Sequence, residues 1–151
     1  REPEEIREKR KGDALMENRM YVNALRVYQK LLEKDSREIS REMRERILHN
    51  QGCAYSYLFQ MEKATEYFRK AYEGSRSREA LEAYLIAFGM TRTSSEYEKM
   101  AKSIGTEKEV LQNIRERLQE FSKTPELVVN KTNMDEILTR LTREYHRSTG
   151  S

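Results

Sequence analysis

The chain has 151 residues, about the length of one ordinary domain. Its charged share is 36%, against a usual figure of about 25%, and its hydrophobic share is also only 36%, which argues against a large two-layer core. A net charge of only +3, nine Tyr and four Phe argue equally against a solvated, disordered tail, and no run of about 18 apolar residues marks a membrane span.

Helix signals then follow one another along the chain. Pro3 before Glu4 and Glu5 suits a helix start, because proline needs no N–H there and acids favour the positive end. That helix is expected to run to Glu17, with a break at 18–20. Ala24, Val27, Tyr28, Leu31 and Leu32 form a stripe on the next helix. Asp35 with Glu38 reads as a capping box opening a long helix over about 36–59, carrying Ile39, Met43, Ile47, Leu48, Tyr55 and Leu58. After a break at Gln60–Met61, Ala64, Tyr67, Phe68, Ala71 and Tyr72 form a further stripe, which Gly74 is expected to end.

Ser77 reads as the cap of a helix holding Ala80, Leu81, Tyr84, Leu85 and Phe88. Thr93 with Glu96 caps the next, which Gly105 closes, and Thr106 with Glu109 opens another striped by Leu111, Ile114, Leu118 and Phe121. Ser122–Pro125 reads as a linker, 127–129 is too short to assign, and Thr132 with Asp135 starts a last helix through Tyr145. About eight helices and no convincing strand make an all-α protein, and the short links of the first two pairs predict antiparallel hairpins.

Two of these hairpins repeat. Gly12, Leu15, Ala24, Tyr28 and Leu31 align with Gly52, Tyr55, Ala64, Phe68 and Ala71, with identical spacings of three, nine, four and three. A small residue on the first helix of each pair admits the second helix closely, and large residues fill the space between them. On these residues, with Leu48 added, the chain resembles the tetratricopeptide repeat (TPR) family. Asn50 also fits, whereas Gln51 departs from the usual apolar residue, and Glu8 and Lys11 stand where the first repeat is commonly apolar. The two glycines are 40 apart instead of the family's about 34, and a third pair over 77–104 lacks the small-residue signature. The resemblance covers about residues 5–104. It implies hairpins stacked as a right-handed superhelix over 1–105, with extra C-terminal helices over 106–151 that cap the stack or form a homodimer seam.

The resemblance further implies a concave groove that holds an extended peptide or a partner helix. Carried onto this chain, the groove candidates are Lys9, Arg10, Asp13, Met16 and Glu17, then Arg46, His49, Asn50, Cys53, Ser56 and Tyr57. One TPR subclass grips a C-terminal carboxylate. This chain matches it only at Lys9 and Asn50, carries Asp13 where that subclass uses Asn, and has no basic residue over 79–90, so no such clamp is expected.

Catalysis finds little support. His49 and Cys53 share one helix face at i, i+4, but no further metal ligand or catalytic partner stands at useful spacing. There is no phosphate-binding Gly-rich loop and no nucleophile elbow, and the carboxylates alternate with basic residues as on a solvated face. Asn130–Lys131–Thr132 fits a glycosylation pattern by letter only, and Arg140, Arg143, His146 and Arg147 suit the negative end of a helix. Near-balanced charge argues against a dedicated nucleic-acid binder. The lone Cys53 excludes an internal disulfide and agrees with a reducing, cytoplasmic setting. No signal-type apolar stretch opens the chain; starting at Arg1, it is expected to be a processed product or a fragment. The expectation is a non-enzymatic protein-interaction scaffold with no metal and no cofactor. The alternative is a helical-repeat regulator linked to transcription or nucleic acid.

Overall fold

A computed structural model describes residues 2–34 and 36–123. The described residues form seven α-helices and no strand: α1 (Glu4–Glu17), α2 (Tyr21–Glu33), α3 (Arg41–Tyr57), α4 (Met61–Ser75), α5 (Arg78–Thr91), α6 (Ser94–Ile104) and α7 (Lys108–Ser122). The expected helix beyond residue 131, the 127–129 segment, the glycosylation pattern and the basic cluster at 140–147 lie outside the described residues. The chain divides into two compact units at Ala80–Leu81.

In the first unit, α1 packs on α2, α2 on α3 and α3 on α4, and three-residue links make the first and last of these pairs antiparallel hairpins. Both hairpins turn in the same way. Arg19 and Phe59 each sit in the left-handed region at φ 60°. The Met20 amide donates to the Leu15 carbonyl at 2.8 Å and the Gln60 amide to the Tyr55 carbonyl at 2.9 Å. The Arg19 and Phe59 amides reach Met16 and Ser56 at 3.0 Å each. This is the Schellman pairing, which satisfies carbonyls that a helix end leaves without partners.

Steric contact then closes each hairpin. A Cβ built on Gly12 would lie 2.5 Å from a ring carbon of Tyr28, and one on Gly52 would lie 2.6 Å from ring carbons of Phe68. Each glycine is therefore the floor on which an aromatic of the following helix rests. Ala24 and Ala64 are fully buried and Ala71 nearly so. Ala24, Tyr28, Leu31, Ile39 and Ile47 form a core cluster, against which Leu15, Met16, Leu32 and Met43 pack.

Two local expectations are corrected. α3 begins at Arg41, not at 36. Ser40 is its cap, accepting the Met43 amide at 3.1 Å. Ser36 instead accepts the Glu38 amide at 3.2 Å and donates to Glu5 at 3.0 Å, and the non-helical segment carries Ile39 into the core. The helix also ends at Tyr57, since the turn takes Leu58 and Phe59. Gly74 does not end α4. The left-handed residue there is Arg76, at φ 54°, whose guanidinium lies 5.2 Å from the Tyr72 ring centre. A Cβ built on Gly74 would meet only the flexible end of Glu45, at 2.7 Å from Oε1.

In the second unit, Tyr84, Leu85, Ile86, Ala87 and Met90 of α5 are buried, with Tyr97 and Ala101 of α6 and Val110, Ile114 and Leu118 of α7. Thr93 caps α6 by accepting the Glu96 amide at 3.2 Å, and Gly105 closes it at φ 71°. Glu82 ties α5 to α7, accepting from Asn113 at 3.0 Å and pairing with Arg117 at 3.7 Å. Gly105 thus caps α6 inside the second unit.

Candidate functional site

The Ser40 cap starts α3 so that Glu42, Glu45, Arg46 and His49 fall on one face at i, i+3, i+4 and i+7. That face, with Asn50, forms one wall of a cavity of about 480 Å³ in the first unit. Lys9 of α1 also lines it. Ala71 and Ser75 of α4 line it, and Ser77, Glu79 and Ala80 bring in the start of α5. Ser77 holds that start by accepting the Ala80 amide at 3.1 Å.

A hydrogen-bonded cluster holds Lys9. Lys9 Nζ lies 2.6 Å from Asp13 Oδ2. Asp13 Oδ1 accepts the Tyr28 hydroxyl at 2.5 Å and the Asn50 amide at 3.2 Å, and Asn50 Nδ2 also lies 3.2 Å from the Tyr28 oxygen. Burial, then the Asp13 carboxylate accepting its hydroxyl, holds the Tyr28 phenol well above its ordinary range. Asp13 thus bonds both Lys9 and Asn50 and offsets the Lys9 charge.

Arg41, which does not itself line the cavity, donates to Glu45 at 3.2 Å and to the Gly74 carbonyl at 2.7 Å. Glu42, Arg46 and Glu79 make no ion pair with a described residue, so both signs of charge reach the basin unneutralised.

Of the groove candidates that the resemblance implies, Lys9, Arg46, His49 and Asn50 line this basin, and Asp13 bonds Lys9 and Asn50. The others lie elsewhere. Arg10 is exposed and paired with Glu2. Met16 packs against the core cluster. Glu17 is exposed at the end of α1. Cys53 is half-buried, and its carbonyl accepts the Ser56 hydroxyl at 2.7 Å. Tyr57 is 56% exposed and stacks on Tyr21, with ring centres 4.8 Å apart.

Tyr55 lies 5.2 Å from the Tyr67 ring, and Phe68 lies 5.2 Å from the His49 ring. Leu48 and Leu15 are half-buried. The sequence reading missed Glu42, Glu45, Ser75 and Glu79 as lining residues, and took Ser77 only as a cap. Glu42 and Glu45 carried a usable signal, since they share the helical face of Arg46 and His49.

Among the described residues no three His, Cys, Asp or Glu side chains gather to hold a metal ion, and no helix is long and apolar enough to cross a membrane. Gln51 is buried at 2% exposure with Oε1 lacking a hydrogen-bond partner, at the position where the repeat pattern usually has an apolar residue. No protein-family model matches the chain, and neither does any curated protein or solved structure.

Proposed function

We propose that the chain is a non-catalytic interaction module, built of TPR-like hairpins, that holds an extended peptide of a protein partner in the basin between α1, α3, α4 and the start of α5. One observation carries this reading. Lys9, Arg46, His49 and Asn50, four of the groove candidates that the family resemblance implies, line one cavity of about 480 Å³. That volume falls in the range of ordinary ligand sites. Its lining of an amide, two hydroxyls and charges of both signs suits the hydrogen bonds and ion pairs of a polar peptide. The finer architecture belongs to the same proposal: a right-handed stack of hairpins with C-terminal helices covering its last face, acting as a scaffold in a reducing compartment.

Selection from a displayed random-peptide library tests it. Full-length chain is expected to enrich a family of peptides that the Arg46→Ala, His49→Ala double variant, folded as judged by circular dichroism, does not retain. Equal retention by that variant overturns the reading.

A further inference from the structure

The basin is polarised along α3, and this names the chemistry of its occupant. Going from the N-terminal end of the face, the side chains are Glu42 and Glu45, then Arg46 and His49, then Asn50, which bonds the Asp13 that also holds Lys9. Glu79 adds a second unpaired carboxylate. The four-residue offset between the mean positions of the acidic and basic pairs is about 6 Å of helix rise. In an extended peptide, side chains at i and i+2 leave the same face and stand about 6.6 Å apart. The two repeats match.

Resting on the reading of the basin as a peptide site, we propose that it selects an extended segment with one basic and one acidic side chain two positions apart. The basic side chain lies toward Glu42 and Glu79 and the acidic one toward Arg46. Lys9 contributes little to this choice because Asp13 neutralises it at 2.6 Å, and Glu45 is partly satisfied by Arg41 at 3.2 Å. Arg46, Glu42 and Glu79, free of ion pairs with described residues, are the groups that discriminate.

The probes are dye-labelled eight-residue peptides of Ser and Gly carrying Lys-x-Glu, Glu-x-Lys, Lys-x-Lys, Glu-x-Glu or neither charge. They are titrated into the full chain and read by fluorescence anisotropy and by amide shifts of Asn50 and Ser75. One of the two opposite-charge orders is expected to bind most tightly. Arg46→Glu is expected to weaken it roughly tenfold and move the preference to Lys-x-Lys, because a partner charge becomes a repelling one. Glu42→Lys with Glu79→Lys is expected to move it to Glu-x-Glu. Peptides that shift the Asn50 and Ser75 amides with the same affinity for every charge pattern overturn the charge rule and leave the peptide site standing. If no peptide shifts those amides at millimolar concentration, both fall.

Discussion

The α1–α2 and α3–α4 hairpins share a backbone and differ in the aromatic that closes them. Each turns through a left-handed residue at φ 60° and seats a ring over a glycine. In the first the ring is Tyr28, whose hydroxyl reaches Asp13 and through it Lys9 and Asn50. In the second it is Phe68, which carries no hydroxyl and meets the His49 ring at 5.2 Å. One oxygen atom therefore separates a ring that only packs, Phe68, from one that also holds polar side chains, Tyr28. The steric frame sets where the helices lie; the residue placed on it decides what chemistry the surface carries.

The shared part is broken most severely at the glycines. Gly12→Ala and Gly52→Ala should each destabilise the protein by about 1–3 kcal/mol, the usual cost of overpacking a tight contact. Urea unfolding followed by circular dichroism measures this. Two similar losses sharpen the equivalence of the hairpins, and a neutral outcome at one glycine breaks it.

The unshared part is tested by Tyr28→Phe, which makes the first hairpin resemble the second. A loss of about 1 kcal/mol is expected, for a hydrogen bond to a charged acceptor that is only half-buried. The same variant should flatten the alkaline limb of the stability curve. The Tyr28 pKa is raised on folding, so its contribution is complete below the unfolded tyrosine value of about 10 and is lost as pH rises above it. Tyr97, raised by burial alone, keeps part of that limb in place.

A smaller gain is expected at the turns. Phe59→Gly and Arg19→Gly relieve a left-handed cost of about 1–2 kcal/mol against glycine's unfolded-state entropy of about 0.5–1 kcal/mol. Each should raise stability by roughly 0.5 kcal/mol, and equal gains would show that both turns carry the same strain.

The smallest effect lies at Glu5, which belongs to the first hairpin alone. Its pKa is lowered by backbone and Ser36 hydrogen bonds, so what it contributes is present above the ordinary glutamate range and lost as pH falls through its folded pKa. Glu5→Gln should make the acid limb slightly shallower in a thermal scan from pH 7 to pH 3.

How much of this was legible follows from the physics of each signal. Helix existence was readable because apolar residues recur at helical spacing, and Ser77, Thr93 and Gly105 announced themselves by residue type. The hairpin frame was readable because the spacing from Gly12 to Tyr28 recurs from Gly52 to Phe68. Turn chemistry was not readable, because Arg19, Phe59 and Arg76 adopt left-handed backbones that their side chains do not advertise. The true start of α3 was hidden because Asp35 with Glu38 fits the spacing of a capping box, whereas Ser40 caps the helix and Ser36 bonds Glu5.

The basin was half legible. The family resemblance pointed to Lys9, Arg46, His49 and Asn50, whereas Ser75 and Glu79 reach it only through the packing of α4 and the start of α5, which no spacing in the chain encodes. Asp13 was suggested as a groove residue. Its bond to Tyr28 joins residues 15 apart on two helices, and neither residue type signals it.

A double-mutant cycle between Gly52→Ala and Phe68→Leu, read by urea unfolding, tests most directly the claim that each hairpin is closed by a ring seated on a glycine. The account predicts that the double variant is less destabilised than the sum of the singles by about 1 kcal/mol or more, because the smaller side chain vacates the space that the new methyl group enters. Losses that add to within about 0.3 kcal/mol would contradict it.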